Sequence, residues 1–319
     1  MIINFTELII IFFATFTGTF LLTPRLRKFA RIRGIVDHPG GRKQQLYPVP
    51  YLGGFAIFLP IIVYSFLLLF LNISQIARNE FYFGIIVPLI IILIVGLVDD
   101  IHKLSVKFRF LIQICLGILT SSLLFLNGNG IEIFNDLVFN YIFTCFFVIF
   151  IVNGFNLIDN MDGLATGIAA ITSFTFFLIS WNNEQYLVAA LCLGLVGGSL
   201  AFFKWNKSPA SIYLGDSGAL AIGFLIAAIS IRIDINTMTQ QQRLLIPFLV
   251  LAVPILDTTQ VIITRILRGL SPFMGGRDHI SHLLLSLGLK QRTSVLVLHL
   301  ISIVFSIFAY FLYLKYSHD

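Results

Sequence analysis

The sequence predicts an all-α polytopic membrane protein of about ten transmembrane helices, and three observations carry that reading. Hydrophobic residues make up 58% of the 319 and charged residues 11%, where a soluble domain carries roughly 45–50% and about 25%. Apolar segments recur along the chain almost free of charge, each about 18 residues or longer, the length a helix needs to cross roughly 30 Å of hydrocarbon. The Lys and Arg residues gather in the breaks between those segments. A water-soluble globule is excluded, and the alternating pattern of a membrane β-barrel is not present. In a soluble chain the net charge of +6 would suggest nucleic acid; here it reflects loop placement, and no nucleic-acid partner is expected.

Taken in order, the first apolar segment, residues 1–23, lacks the basic start and small-residue cleavage site of a removable signal and reads as a retained helix. Cutting at charged and Gly/Pro/Asn-rich breaks starts further spans near Tyr51, Phe81, Arg109, Asp136, Gly163, Tyr186, Asp216, Arg243 and Thr293. An even count puts both termini on one side. One alternate set of loops then holds seventeen of the 21 basic residues, from Arg25 and Arg42 through Lys103, Lys107 and Arg109 to Lys204, Arg265, Arg277 and Arg292. The positive-inside rule assigns that set to the cytoplasm and both termini to the extracytoplasmic side. Cys115, Cys145 and Cys192 lie inside apolar stretches without paired spacing and read as small core residues. With no soluble domain or internal repeat evident, the chain 1–319 reads as a single integral membrane domain. Outer loops such as residues 182–185 are short, so function is expected on the cytoplasmic face.

Five cytoplasmic breaks contain nearly every candidate reactive group: VDHPGGRKQQLYPVPYLGG, GLVDDIHK, NGFNLIDNMDGLA, YLGDSG and SPFMGGRDHISH. Asp99 and Asp100 close an apolar helix, where adjacent carboxylates repel unless a cation or a basic partner offsets them. The plainer alternative is a solvated helix end with Lys103 and Lys107 nearby. Asn153, Asn156, Asp159 and Asp162 recur at every third residue, so on a helical turn they would share one polar face suited to a hard divalent cation. Asp216, between glycines at a span start, could complete a magnesium site, because Mg²⁺ takes one or two protein oxygens plus substrate phosphates. Helix caps and turns are the competing reading of both. His279 and His282 share a helical face beside Arg277 and a Gly–Gly pair. With no cysteine near, contact with phosphate suits them better than zinc. Arg42 and Lys43 could bind phosphate too, or serve only as topogenic charge.

Together these motifs resemble the polyprenyl-phosphate N-acetylhexosamine-1-phosphate transferases, the bacterial branch of a superfamily that includes phospho-N-acetylmuramoyl-pentapeptide transferase. The resemblance runs over essentially the whole chain, with RKxxxxPVPxxGG from Arg42, VDD at Asp99, NxxNxxDxxDGLA from Asn153, GDSG at Gly215 and a final His-rich loop in the family's order. It implies ten transmembrane helices and a Mg²⁺-dependent site, with Mn²⁺ as an alternative ion, open to the cytoplasm of a bacterial plasma membrane. A UDP-N-acetylhexosamine would enter from water and a polyprenyl (undecaprenyl) phosphate from the bilayer; a homodimer is compatible with it. By motif, Asn156 and Asp216 match the metal positions and Asp99 and Asp100 the catalytic pair, while Asp159, Asp162 and His279 match the lining around the sugar phosphates. His279 is also assigned a catalytic part, and Arg42, Lys43, Asn153, Arg277 and His282 are assigned to substrate binding. Four features depart from the pattern: Gln45 replaces a His, Asn160 replaces a Gly, His279-Ile280-Ser281-His282-Leu283 replaces His-x-His-His-Arg, and Gly–Gly replaces an Asp-bearing approach to that loop. Absence of a His triplet disfavours the muramoyl-pentapeptide branch.

The expected reaction is attack of a lipid phosphate oxygen on the β-phosphorus of the UDP-sugar with release of UMP, Asp99 organising or deprotonating the lipid phosphate. Two rivals stand beside it: a secondary transporter, whose carboxylates should lie near midspan, and a prenyl-phosphate hydrolase.

Overall fold

A computed structural model describes residues 5–39, 47–70, 82–126, 130–233, 235, 238–272 and 276–317. Arg42, Lys43, Gln45 and Gly275 lie outside the described residues. The described residues are mostly helical: α1 (Phe5–Ile32), α2 (Gly53–Phe70), a π-turn (Tyr82–Ile86) leading into α3 (Val87–His102), α4 (Val106–Leu126), α5 (Leu137–Ile158), α6 (Leu164–Asn182), α7 (Tyr186–Asn206), α8 (Gly215–Arg232), α9 (Gln240–Val250), α10 (Ala252–Leu267), α11 (Ile280–Ser286) and α12 (Gln291–Ser317). One two-residue ladder, β1 (Val36–Asp37) against β2 (Val49–Pro50), is antiparallel with Val36 opposite Pro50.

Local chemistry starts and stops these helices. Asp136 caps α5 by accepting from the N–H groups of Val138 and Phe139 at 2.8 and 3.0 Å. A capping box of Thr239 and Gln242 opens α9. Within spans, hydroxyls such as Thr15, Thr23 and Thr172 donate back to carbonyls four residues earlier at 2.7–2.9 Å, which satisfies them where water is excluded.

Among the described residues eight helices are long and apolar enough to cross a membrane, and α9 with α10 makes a ninth span if the bent pair counts as one. The expected span near Tyr51 is the shorter apolar helix α2. The span expected near Arg243 takes the form of a broken pair, in which α9 and α10 meet at 81°. Pro254 supplies no N–H for the carbonyl of Val250, and the backbone turns at Leu251 (φ −96, ψ 17).

Burial separates an inner from an outer layer. The spans formed by α6, α7 and α8 are 78%, 78% and 83% buried, whereas α1 and α12 are 22% and 28% buried. The outer helices turn Phe13 and Phe308 outward and α5 turns Phe139 outward, each more than half exposed. Such faces would drive association in water and suit lipid. Cys192 is buried, but Cys115 is exposed on α4 rather than in the core.

Backbone-close crossings position the reactive end. A Cβ on Gly54 of α2 would overlap the backbone of Gly218, and one on Gly96 of α3 would overlap the backbone of Ser217. Both helices therefore press on the first turn of α8. The β2 strand joins them: Tyr213 N–H donates to Pro50 O at 2.8 Å, and Gly53 N–H donates to Tyr213 O at 3.1 Å.

Candidate active site

Asp216 stands in the first turn of α8, where helix geometry leaves N–H groups without partners and no side chain caps from Leu214. Asp100, at the end of α3, supplies the missing acceptor: its two oxygens take the N–H groups of Asp216 at 2.8 Å and Ser217 at 3.2 Å. This carboxylate favours the positive end of the helix. Gly215, at φ +77 and with a Cβ position that would strike the Asp100 carboxylate, must be glycine for the approach to occur.

Asp99 is 5% exposed. One of its oxygens accepts from Leu104 N–H at 2.7 Å and the other from Arg109 at 2.6 Å. The same Arg109 nitrogen reaches Asp216 at 3.3 Å, so one guanidinium links the second and fourth motifs. Asn156 of α5 donates to the other oxygen of Asp216 at 2.5 Å, joining the third motif to them.

The expected single polar face of Asn153, Asn156, Asp159 and Asp162 divides, because α5 ends at Ile158 with Asp159 as its C-cap. Asn153 turns to α4, donating to Gln113 at 2.7 Å, and is not joined to Asp216. Asp162 accepts from Ala210 N–H at 3.0 Å. Buried Asn206 braces the same turn through Gly163 N–H and the Thr166 hydroxyl, at 3.1 and 3.0 Å. Burial holds the Asp159 carboxyl well above the ordinary carboxylate range, with Asp216, Asp100 and Asp162 adding repulsion. Burial also raises Asp162, against the Ala210 hydrogen bond.

His279 is the N-cap of α11. Its ring lies 6.0 Å from that of His282, and Ser281 Oγ donates to Asn160 Oδ1 at 2.6 Å, tying the fifth motif to the third. Burial, then the neighbouring His279 and Arg277, lowers the His282 imidazole. Arg277 itself is exposed on the approach to α11. Arg265, 3% exposed on α10, holds Asp278 with two bonds of 2.7 and 2.8 Å and donates to Pro272 O at 2.7 Å. Those bonds keep the Asp278 carboxyl below its usual range.

Sequence reading missed three of these residues or their parts. Arg109 and Arg265 counted only as loop charge, and Asp257, which binds His279, was passed over. A carboxylate inside an apolar span was the available signal for Asp257; nothing local pointed to Arg109 as a bridge.

The donor set suits a hard divalent ion. Asp159 stands near Asp100 and Asp216, and burial first, then these acids and Asp162, oppose its ionisation. Among the described residues no three His, Cys, Asp or Glu side chains form a ready cage. Mg²⁺ needs none, since one or two protein oxygens with waters and phosphates suffice. Asp216 Oδ1 and the Asn156 amide could provide them.

Residues 82–234 match glycosyl transferase family 4. The chain is 32% identical over 95% of its length, and 84% of the relative's, to a probable undecaprenyl-phosphate N-acetylglucosaminyl 1-phosphate transferase of Bacillus subtilis. It is 30% identical to a decaprenyl-phosphate N-acetylglucosaminephosphotransferase of Mycobacterium tuberculosis, over 88% of this chain and 76% of that one. An undecaprenyl-phosphate alpha-N-acetylglucosaminyl 1-phosphate transferase of Escherichia coli is 28% identical over 92% of this chain and 80% of that one. These likenesses, with five motifs folded onto one end of an apolar helical bundle, make this multi-pass membrane chain a member of glycosyl transferase family 4, the polyprenyl-phosphate N-acetylhexosamine-1-phosphate transferases.

Proposed function

We propose that the protein transfers N-acetylglucosamine 1-phosphate from UDP-N-acetylglucosamine to a polyprenyl phosphate in a bacterial plasma membrane, the reaction that starts a lipid-linked glycan. The observation that carries this reading is the convergence of Asp100, Asn156 and Asp216, from three separate helices, on the first turn of α8. Relatives named for this transfer support the sugar and the lipid. A phosphate oxygen of the lipid forms the new bond to the sugar-bearing phosphorus, and UMP leaves with the electron pair of the broken bond. Asp216 and Asn156 would hold Mg²⁺, which when bound with the diphosphate supplies neutralisation of its charge. Asp100 keeps the α8 N-terminus in place. Both oxygens of Asp99 are engaged, so Asp99 organises the lipid phosphate through Arg109, whose remaining N–H donors suit a phosphate. His279, with Arg277 and His282, faces the sugar phosphates.

Asp99, Asp100, Asp159 and Asp216 stand at helix ends rather than at midspan, which favours surface chemistry over a transport path. Purified protein given a panel of UDP-sugars, with and without polyprenyl phosphate, tests the proposal. UMP release that requires the lipid and prefers UDP-N-acetylglucosamine is expected. Release without lipid would instead mark a hydrolase, and no release from any sugar would remove the reading. A cysteine placed beside Asp100 should be labelled only from the cytoplasmic side.

A further inference from the structure

Asp257 lies in α10 and is 3% exposed. A carboxylate so placed must have its oxygens satisfied, and both are. Oδ1 accepts from Ile280 N–H at 2.7 Å, fixing the backbone where α11 begins. Oδ2 lies 2.7 Å from Nδ1 of His279, a ring that is itself 4% exposed. An ionised carboxylate only accepts, so the proton between them belongs to Nδ1. Nε2 is then the nitrogen that remains for a ligand. The other side of α11 is anchored separately, by Ser281 on Asn160.

We propose that Asp257 is a positioning residue for His279: it fixes the ring and its Nδ1–H tautomer so that Nε2 meets the sugar diphosphate, and it affects turnover only through that ring. The role in turnover rests on the transferase reading above. Asp257→Asn isolates it from simple scaffolding. The amide oxygen retains the Ile280 N–H bond, so the amide NH₂ must face Nδ1 and drive the ring proton to Nε2. The backbone clamp survives and the tautomer reverses.

The test is a double-mutant cycle on full-length protein in lipid nanodiscs, with UDP-N-acetylglucosamine and undecaprenyl phosphate as probes. Asp257→Asn is expected to lower kcat by about 10²-fold with KM for the sugar nucleotide little changed. Placed on His279→Gln, the same change should cost nothing further. An equal loss in both backgrounds would overturn the proposal, because Asp257 would then act through the backbone. Nitrogen-15 NMR of the wild-type histidines, at a pH where the ring is neutral, supplies an arm independent of folding in the variants. His279 protonated on Nδ1 is expected, and protonation on Nε2 overturns the proposal. Wild-type protein that releases no UMP refutes the transferase reading instead, and the NMR result still decides the tautomer.

Discussion

Asp100 and Asp216 sit on helices whose backbones touch at Gly54, Gly96 and Gly218, whereas His279 opens a seven-residue helix pinned by the side chains of Asp257 and Asn160. The carboxylate half cannot shift without moving α2, α3 and α8 together, because close-packed interiors do not yield to small changes. The histidine half combines the packing of Ile280, Leu284 and Leu285 against the core with a few side-chain hydrogen bonds. This difference predicts that substitutions in the two halves will be felt differently.

The largest effect should come from Asp216→Ala, which removes the carboxylate on which Asn156 and Arg109 converge. UMP release is expected to fall by at least about 10³-fold, and excess chelator should do the same to the wild-type enzyme. Full turnover in either condition would strip the carboxylate half of its assigned chemistry.

Gly96→Ala comes next. The added methyl meets the Ser217 backbone, and overpacking of this kind costs about 1–3 kcal/mol. A lowered unfolding temperature in detergent, together with reduced turnover, is the expected result; an unchanged protein would show that α3 and α8 have room to move.

Asp159→Asn probes the repulsion among the acids. A carboxyl that keeps its proton to higher pH when folded than when unfolded makes the folded state bind more protons, so stability falls as pH rises from the ordinary carboxylate range through the raised pKa. The Asn variant should lose that slope and be the more stable protein near neutrality, as read by thermal unfolding between about pH 4 and pH 8.

The smallest effect is expected of Ser281→Ala. Losing the bond to Asn160, worth about 0.5–1.5 kcal/mol, should leave the rate of UMP release intact and shift the preference between UDP-N-acetylglucosamine and UDP-N-acetylgalactosamine by about 3- to 10-fold. An unchanged preference would place sugar selection elsewhere.

Asn160 and Ser281 also show where sequence reading stops. Each was visible as a departure from the family pattern, but their contact spans 121 residues of chain and no local signal announces it. The apolar runs behave differently. Hydrocarbon requires a helix to satisfy its own backbone, so length and hydrophobicity suffice to find a span, and every expected start lies within a few residues of a helix start. The exception in shape is the α9–α10 pair, whose bend of 81° the apolar run near Arg243 did not announce.

By itself the sequence determined that the chain is a bundle of apolar helices and which five polar segments interrupt it, because both follow from the local cost of exposing backbone and charge to lipid. Tertiary structure alone decided the partners. Asp100 caps a helix that begins 115 residues later, Arg109 beside Asp99 reaches Asp216 across 107, and Asp257 rather than a neighbour in its motif holds His279. Buried charges select partners by distance in space, and that distance exists only once the helices have packed.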